Sequence, residues 1–378
     1  MGTDAWRNWR AFDEAGYSPE EYDDELHSDV PFYGGKVTFG PYSLATIIRA
    51  SELVGPAVIV HGSTHTNLIP EVIVDGKLAK SDSSAYHGGT IADEIAALVS
   101  LELGVRLRFA GTLRVSGIYK HGEPKEPPLY FEVPRLASPG RPNRELVPMS
   151  KVRRADLGQL YRLGSFPRIE EVAQAELVRA ARSYSSALWW ANEDPNQSWL
   201  QLVTAAETAA TCRQLLTAES TDLLQEIWPE MWSAIQSADS EGRADVAELL
   251  AEQMKATRKF IDFLTDCAPD EPEHRPQFDR LDWTKIRKHA STIYRYRSKA
   301  LHEGKPFPLP MLEAPRIDPN GAPQEVPSGL NSGGQGGVWK ASETPMLLST
   351  FEYIVRGALL RWWDELAATG QSGPADTE

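Results

Sequence analysis

Arg297 and His302 stand five residues apart in the run Tyr294-Arg295-Tyr296-Arg297-Ser298-Lys299-Ala300-Leu301-His302-Glu303-Gly304. An imidazole titrates near neutral pH, so His302 can take a proton from a ribose 2′-hydroxyl. A guanidinium cannot act as the base. Arg297 can instead hold non-bridging phosphate oxygens through its planar fork and offset the charge that develops as the 2′-oxygen attacks. Ser298 either contacts phosphate or bonds its own backbone. Arg295, Lys299 and Lys288 are candidates for flanking phosphates. Chemistry of this kind needs no metal or other cofactor, and DNA is spared for want of the 2′-hydroxyl.

On an unbroken helix Arg297 and His302 are about 140° apart, whereas Arg295, Lys299 and His302 share a face. Convergence therefore requires the helix to loosen before Gly304, or a partner chain to complete the site. The bland alternative is a helix C-terminus at which cations suit the dipole. Glu207 stands with Leu200, Val203 and Ala210 on one helical stripe, and a carboxylate there needs a partner. It either orients Arg297 or His302, or forms a structural pair with another arginine such as Arg182.

Other groups carry less. His61, His65 and His87 lack an accompanying carboxylate at zinc-site spacing and read as polar loop residues. Gly333 to Gly337 has no following Lys-Ser/Thr, so it reads as a spacer and not a phosphate loop. Trp189-Trp190 and Trp362-Trp363 read as core and interface anchors.

The segment around Arg297 and His302 resembles the Arg-x4-His signature of HEPN domains, in particular the Apea-like branch. Trp199 to Glu207 is similar to that family's glutamate-bearing core helix. The resemblance spans roughly residues 169–366. It implies an endoribonuclease that leaves a 2′,3′-cyclic phosphate and a 5′-hydroxyl, with Arg297 and His302 catalytic and Glu207 and Ser298 supporting. It also implies a homodimer with the cleft at a two-fold interface, and a toxin or antiviral, abortive-infection role. A non-catalytic module that binds RNA, a nucleotide or a protein of a defence complex is the rival expectation.

The elements that must position these residues are legible as patterns. Residues 1–30 form an acidic segment with a short docking helix around Trp6, Trp9 and Phe12. Residues 31–148 read as an α+β sensing or docking domain through which a protein trigger could act. Its strands are expected at Lys36–Phe39, Ala57–His61, Glu71–Val74, Leu107–Ile118 and Leu129–Val133, with a helix at Ile91–Leu103. Residues 149–168 read as a linker. Residues 169–378 read as an all-α domain, with helices from Ala173, from an N-cap at Ser198, over Asp245–Leu264, from Trp283 toward His302, and over Pro345–Leu366. A long Pro/Gly-rich loop is expected at 303–340.

Composition sets the outer bounds. At 378 residues the chain exceeds a single core, and 41% hydrophobic with 24% charged residues is ordinary for a globular protein. No apolar run is long enough to span a bilayer, so a cytoplasmic protein without membrane contact is expected. Cys212 and Cys267 read as reduced thiols. A net charge of −14 disfavours indiscriminate coating of nucleic acid. The charge is uneven, however. Residues 1–30 hold nine carboxylates against Arg7 and Arg10, a local charge of −7 that could mimic nucleic acid and cover a basic site. Trp283 to His302 contains no acid but six lysines and arginines.

Overall fold

The computed structural model describes residues 2–15, 20–47, 57–69, 73–74, 77–115, 154–213, 220–237 and 239–369. The chain divides into two compact units, residues 1–193 with 363–378, and residues 194–362. Among the described residues the first holds a five-stranded sheet, two short strand pairs and three whole α-helices; the second is mainly helical. The expected strand at Leu129–Val133 lies outside the described residues.

In the first unit, α1 (Asp4–Ala15) buries Ala5, Asn8 and Trp9. Asn8 Nδ2 donates to the Tyr42 hydroxyl at 2.9 Å and to the Ser63 carbonyl at 2.7 Å, so this helix is fastened to the sheet. There follow β1 (Glu20–Ser28), β2 (Phe32–Tyr33), β3 (Lys36–Phe39), β4 (Tyr42–Ile47), β5 (Ala57–Thr64), β6 (Ile73–Val74) and β7 (Lys77–Leu78). Next come α2 (Ile91–Leu103), β8 (Leu107–Val115), β9 (Ala155–Asp156) and α3 (Glu171–Trp190). The main sheet is antiparallel with order β3-β4-β5-β1-β8.

The acidic segment is thus not a separate extension. Its second half, β1, runs through the sheet between β5 and β8 with Asp24, Glu25 and His27 buried. Three of the strand's carboxylates are met: Asp23 by His61 Nδ1 at 2.8 Å, Glu25 by His27 Nε2 at 2.8 Å, and Asp24 by a hydrogen bond with Thr112. Burial still pushes the Asp24 carboxyl up to about 6. Five acids in nine residues disguise a strand whose position is set by its neighbours and not by propensity.

The described part of the expected linker is also built into this unit. β9 pairs in parallel with β2, and Leu157, Leu163 and Phe166 are buried. The Glu102 carboxylate accepts the backbone N–H groups of Tyr161, Arg162 and Leu163 at 2.8, 2.7 and 3.1 Å. Helix α3, expected in the helical domain, packs on α2 instead. Arg106 Nε donates to its Leu188 carbonyl at 2.6 Å, and the same guanidinium meets buried Asp29 at 3.0 Å. The boundary falls at Glu193/Asp194, just before a proline.

The second unit contains α4 (Pro195–Arg213), α5 (Ser220–Ile227), α6 (Pro229–Ala234), α7 (Ser240–Asp266) and α8 (Ile286–Glu303). Then come a hairpin of β10 (Asn331–Gly334) and β11 (Gly337–Lys340), and α9 (Leu348–Thr369), whose last turns group with the first unit. Helix α4 begins before the expected Ser198. Pro195 opens it, and Asp194 Oδ1 accepts the Gln197 N–H at 3.1 Å. The indole of Trp199 lies between Phe307 and Phe351, with ring centroids at 5.1 and 4.6 Å, and anchors the core of this unit. No helix among the described residues is long and apolar enough to cross a membrane.

The stretch 303–340 is ordered by more than its length suggests. Glu325 accepts from Arg275 and from the Leu281 N–H, each at 2.6 Å, tying the segment back to the loop before α8. The expected glycine spacer is a tight hairpin turn: Gln335 and Gly336 have φ of 48° and 82° between paired Gly334 and Gly337. A two-residue turn of this hand needs left-handed backbone at both central positions, which explains Gly336.

Candidate active site

Helix α8 buries Ile286, Ala290 and Ile293, and the next position on that stripe is Arg297. An arginine at the end of an inward stripe needs a carboxylate, and the stripe of α4 supplies one. Arg297 Nη2 lies 2.8 Å from Glu207 Oε2, with the two side chains 24% and 19% exposed. Of the partners weighed for Glu207, the structure brings Arg297. Arg182 is elsewhere, donating to the Gly88 carbonyl at 3.2 Å.

Tyr294, one turn before Arg297 on the same face, joins this pair. The guanidinium sits 5.5 Å from the centre of its ring, and its hydroxyl hydrogen-bonds with Glu207 and with Thr257. Burial first, then the charge of Glu207, pushes the phenol up to about 12. A two-fold interface beside the motif needs apolar contacts, and Tyr294, Leu301 and Phe307 are the apolar and aromatic residues near it. Tyr294 packs on Phe260 within the unit at 5.1 Å and Phe307 is buried, leaving Leu301 as the exposed member. The spacing of three between Tyr294 and Arg297 is the sequence signal that puts the phenol on the arginine's face.

His302 is exposed on the last turn of α8, which stays helical through Glu303. Gly304 ends it in the left-handed region at φ 66°, where the Lys299 carbonyl is capped. The loosening that would swing His302 toward Arg297 is therefore absent. Within one chain the two side chains diverge by about 140° and are about 7.5 Å apart along the axis.

The remaining cations sort by partner. Arg287 is taken up by Asp262 and Glu226, and Lys285 by Asp282 at 2.6 Å. Lys288 and Arg295 are exposed, Ser298 and Lys299 half-buried, and no carboxylate lies within ion-pair distance of these three cations among the described residues. Arg295 leans over the Tyr296 ring at 5.8 Å, whose hydroxyl donates to the Glu343 carbonyl at 2.9 Å. The surface of α8 around Arg295, Lys299 and His302 is thus a basic strip beside a neutralised arginine.

The histidines set aside in the sequence are dispersed. His61 pairs with Asp23, His87 Nε2 with Glu94 at 3.1 Å, and the His65 ring meets Phe12 edge to face at 4.9 Å. Among the described residues no three His, Cys, Asp or Glu side chains form a group that could hold a metal ion. Trp189, Trp362 and Trp363 are buried, whereas Trp190 is 42% exposed. Comparison of the chain with protein-family models, curated proteins and solved structures gives no match.

Proposed function

We propose that the helical unit is a HEPN-type endoribonuclease that cleaves RNA without a metal ion. The observation that carries this reading is the Glu207–Arg297 pair at 2.8 Å, next to an exposed His302 on the same helix. Glu207 and Tyr294 fix the guanidinium, so Arg297 presents a defined fork to a phosphate with little further loss of rotamer freedom. Lys299 and Arg295 hold neighbouring phosphates. His302 removes the 2′-proton, the 2′-oxygen attacks phosphorus, and the 5′-oxygen leaves and takes up a proton from water, giving a 2′,3′-cyclic phosphate and a 5′-hydroxyl. Because Arg297 and His302 diverge on one helix, the reacting pair comes from two chains related by a two-fold axis near Gly304. On this reading the chain acts as a homodimer, and a toxin or antiviral role follows by analogy.

A second reading, RNA binding without cleavage, draws on the same divergence and on the prior engagement of Arg297. Incubating the protein with mixed RNAs in EDTA separates the two. Cleavage that ends in cyclic phosphate, is lost in His302→Ala and spares a 2′-deoxy scissile nucleotide supports the nuclease. Retention of RNA without cutting supports the binder, and cutting at the deoxy position overturns the mechanism.

A further inference from the structure

The first unit contains a cavity of about 200 Å³ beside the start of α1, lined by Thr3, Asp4, Leu68, Asp82, Tyr86 and His87 among others. We propose that it binds a small ligand bearing a protonated amine, amidine or guanidinium. This site is separate from the α8 residues and does not depend on their function.

His87 lines the cavity with its side chain only 5% exposed, and its Nε2 lies 3.1 Å from Glu94 Oε1. Glu94 is fully buried behind it, and the same oxygen accepts the Ala5 N–H in the first turn of α1 at 3.2 Å. With the imidazole neutral and the carboxylate accepting, Nε2 carries the proton and His87 Nδ1 is left as an acceptor. Neither Nδ1 nor Glu94 Oε2 meets a donor among the described residues. Buried acceptors of this kind are costly unless a donor arrives. The mouth adds the carboxylates of Asp82 and Asp4. Among the described lining residues the cation is Arg7, whose Nη1 lies 3.5 Å from Asp4 Oδ1 while its Nη2 donates to the Asn67 carbonyl at 3.0 Å, so Asp82 is the carboxylate left to an incoming cation. Tyr86, 73% exposed, offers a ring face to a cation.

The wall is also held in place. Arg179 on α3 donates to the carbonyls of Ser83, Ser84 and Tyr86 at 3.1, 2.6 and 2.9 Å, and Arg182 reaches the Gly88 carbonyl. The loop that carries Asp82, Tyr86 and His87 is therefore clamped before any ligand arrives, which lowers the ordering cost of binding.

Three probes of one shape and different charge test the site: benzamidine, benzamide and benzoate, titrated calorimetrically into the full chain, with agmatine as an aliphatic cation. Saturable binding of one benzamidine per chain is expected, with no comparable binding of the neutral and anionic probes. Asp82→Asn keeps the turn that Asp82 makes with the Ser84 N–H and removes only charge. It should weaken benzamidine about fivefold. His87→Ala should abolish binding, with a lower melting temperature because Glu94 loses a partner. If that variant fails to fold, Asp82→Asn decides. Equal binding of benzoate or benzamide, no saturable heat with either cation at millimolar concentration, or benzamidine affinity unchanged by Asp82→Asn overturns the proposal.

Discussion

Glu207 on α4 and Arg297 on α8, 90 residues apart in sequence, meet at 2.8 Å with Tyr294 hydrogen-bonded to the same carboxylate. Removing the acid leaves a half-buried guanidinium beside a phenol that has lost its acceptor. Glu207→Ala should therefore lower the unfolding free energy by about 1–2 kcal/mol, and Glu207→Gln by less. On the nuclease reading Glu207→Ala also cuts turnover about tenfold or more, because Arg297 loses its fixed aim. Urea unfolding alongside RNA cleavage measures both.

Tyr294 has a pKa raised from 10.0 to about 12, so the folded state favours the neutral phenol. The stabilisation from this group is complete below pH 10 and is lost as the pH rises through about 12. Denaturant melts across that window should show stability falling with pH, with a shallower fall in Tyr294→Phe. An unchanged slope in the variant would place the titration on another tyrosine.

Asp24 gives the opposite consequence at neutral pH. Its folded pKa lies near 6 against 3.8 for the free side chain, mainly through burial. Its favourable contribution is present below about 3.8 and is lost as the pH rises through about 6, where ionising it inside the sheet costs stability. Asp24→Asn should raise stability at pH 7 by about 1–3 kcal/mol and have little effect at pH 4. Thermal melts at the two pH values provide the check.

Deleting residues 1–30 should not yield a soluble, derepressed protein. The cut removes α1 and the strand between β5 and β8, so the first unit loses cooperative unfolding. A truncated chain with an intact melting transition and higher RNA affinity would contradict this placement and restore the idea of an acidic cover.

Mixing experiments address the two-chain site. Wild-type chains mixed with Arg297→Ala, His302→Ala chains should lose more activity than their proportion, because each composite site draws on both partners. Leu301, 52% exposed next to His302, is the residue whose change to Glu should weaken self-association. Analytical ultracentrifugation reads the second effect. A verified monomer with full activity would require other groups within one chain to complete the reaction.

What the sequence disclosed follows physical lines. Helix α8 and the inward positions of Arg297 and Glu207 were legible because stripes at helical spacing report which face is covered. Their mutual pairing was legible only as one of several options, since a stripe does not say what it faces. The same limit assigned α3 to the wrong neighbour: its amphipathic face fits a helical bundle as well as it fits α2. Strand β1 was hidden because Glu20, Glu21, Asp23, Asp24 and Glu25 break the alternation on which strand recognition rests. The Gly333–Gly337 run looked like a spacer because glycine signals freedom in one setting and a demanded left-handed turn in another.

The placement of β1 bears on how the chain is made. It leaves the ribosome before its partners, β5 at 57–64 and β8 at 107–115, so it must wait for them with both edges unpaired. A strand in that position is a template for pairing with other nascent chains. Five carboxylates in nine residues make such pairing self-repelling. The histidines of β1 and β5 then hydrogen-bond two of those carboxylates when the native register forms. The acids that conceal the strand in the sequence are its protection during synthesis.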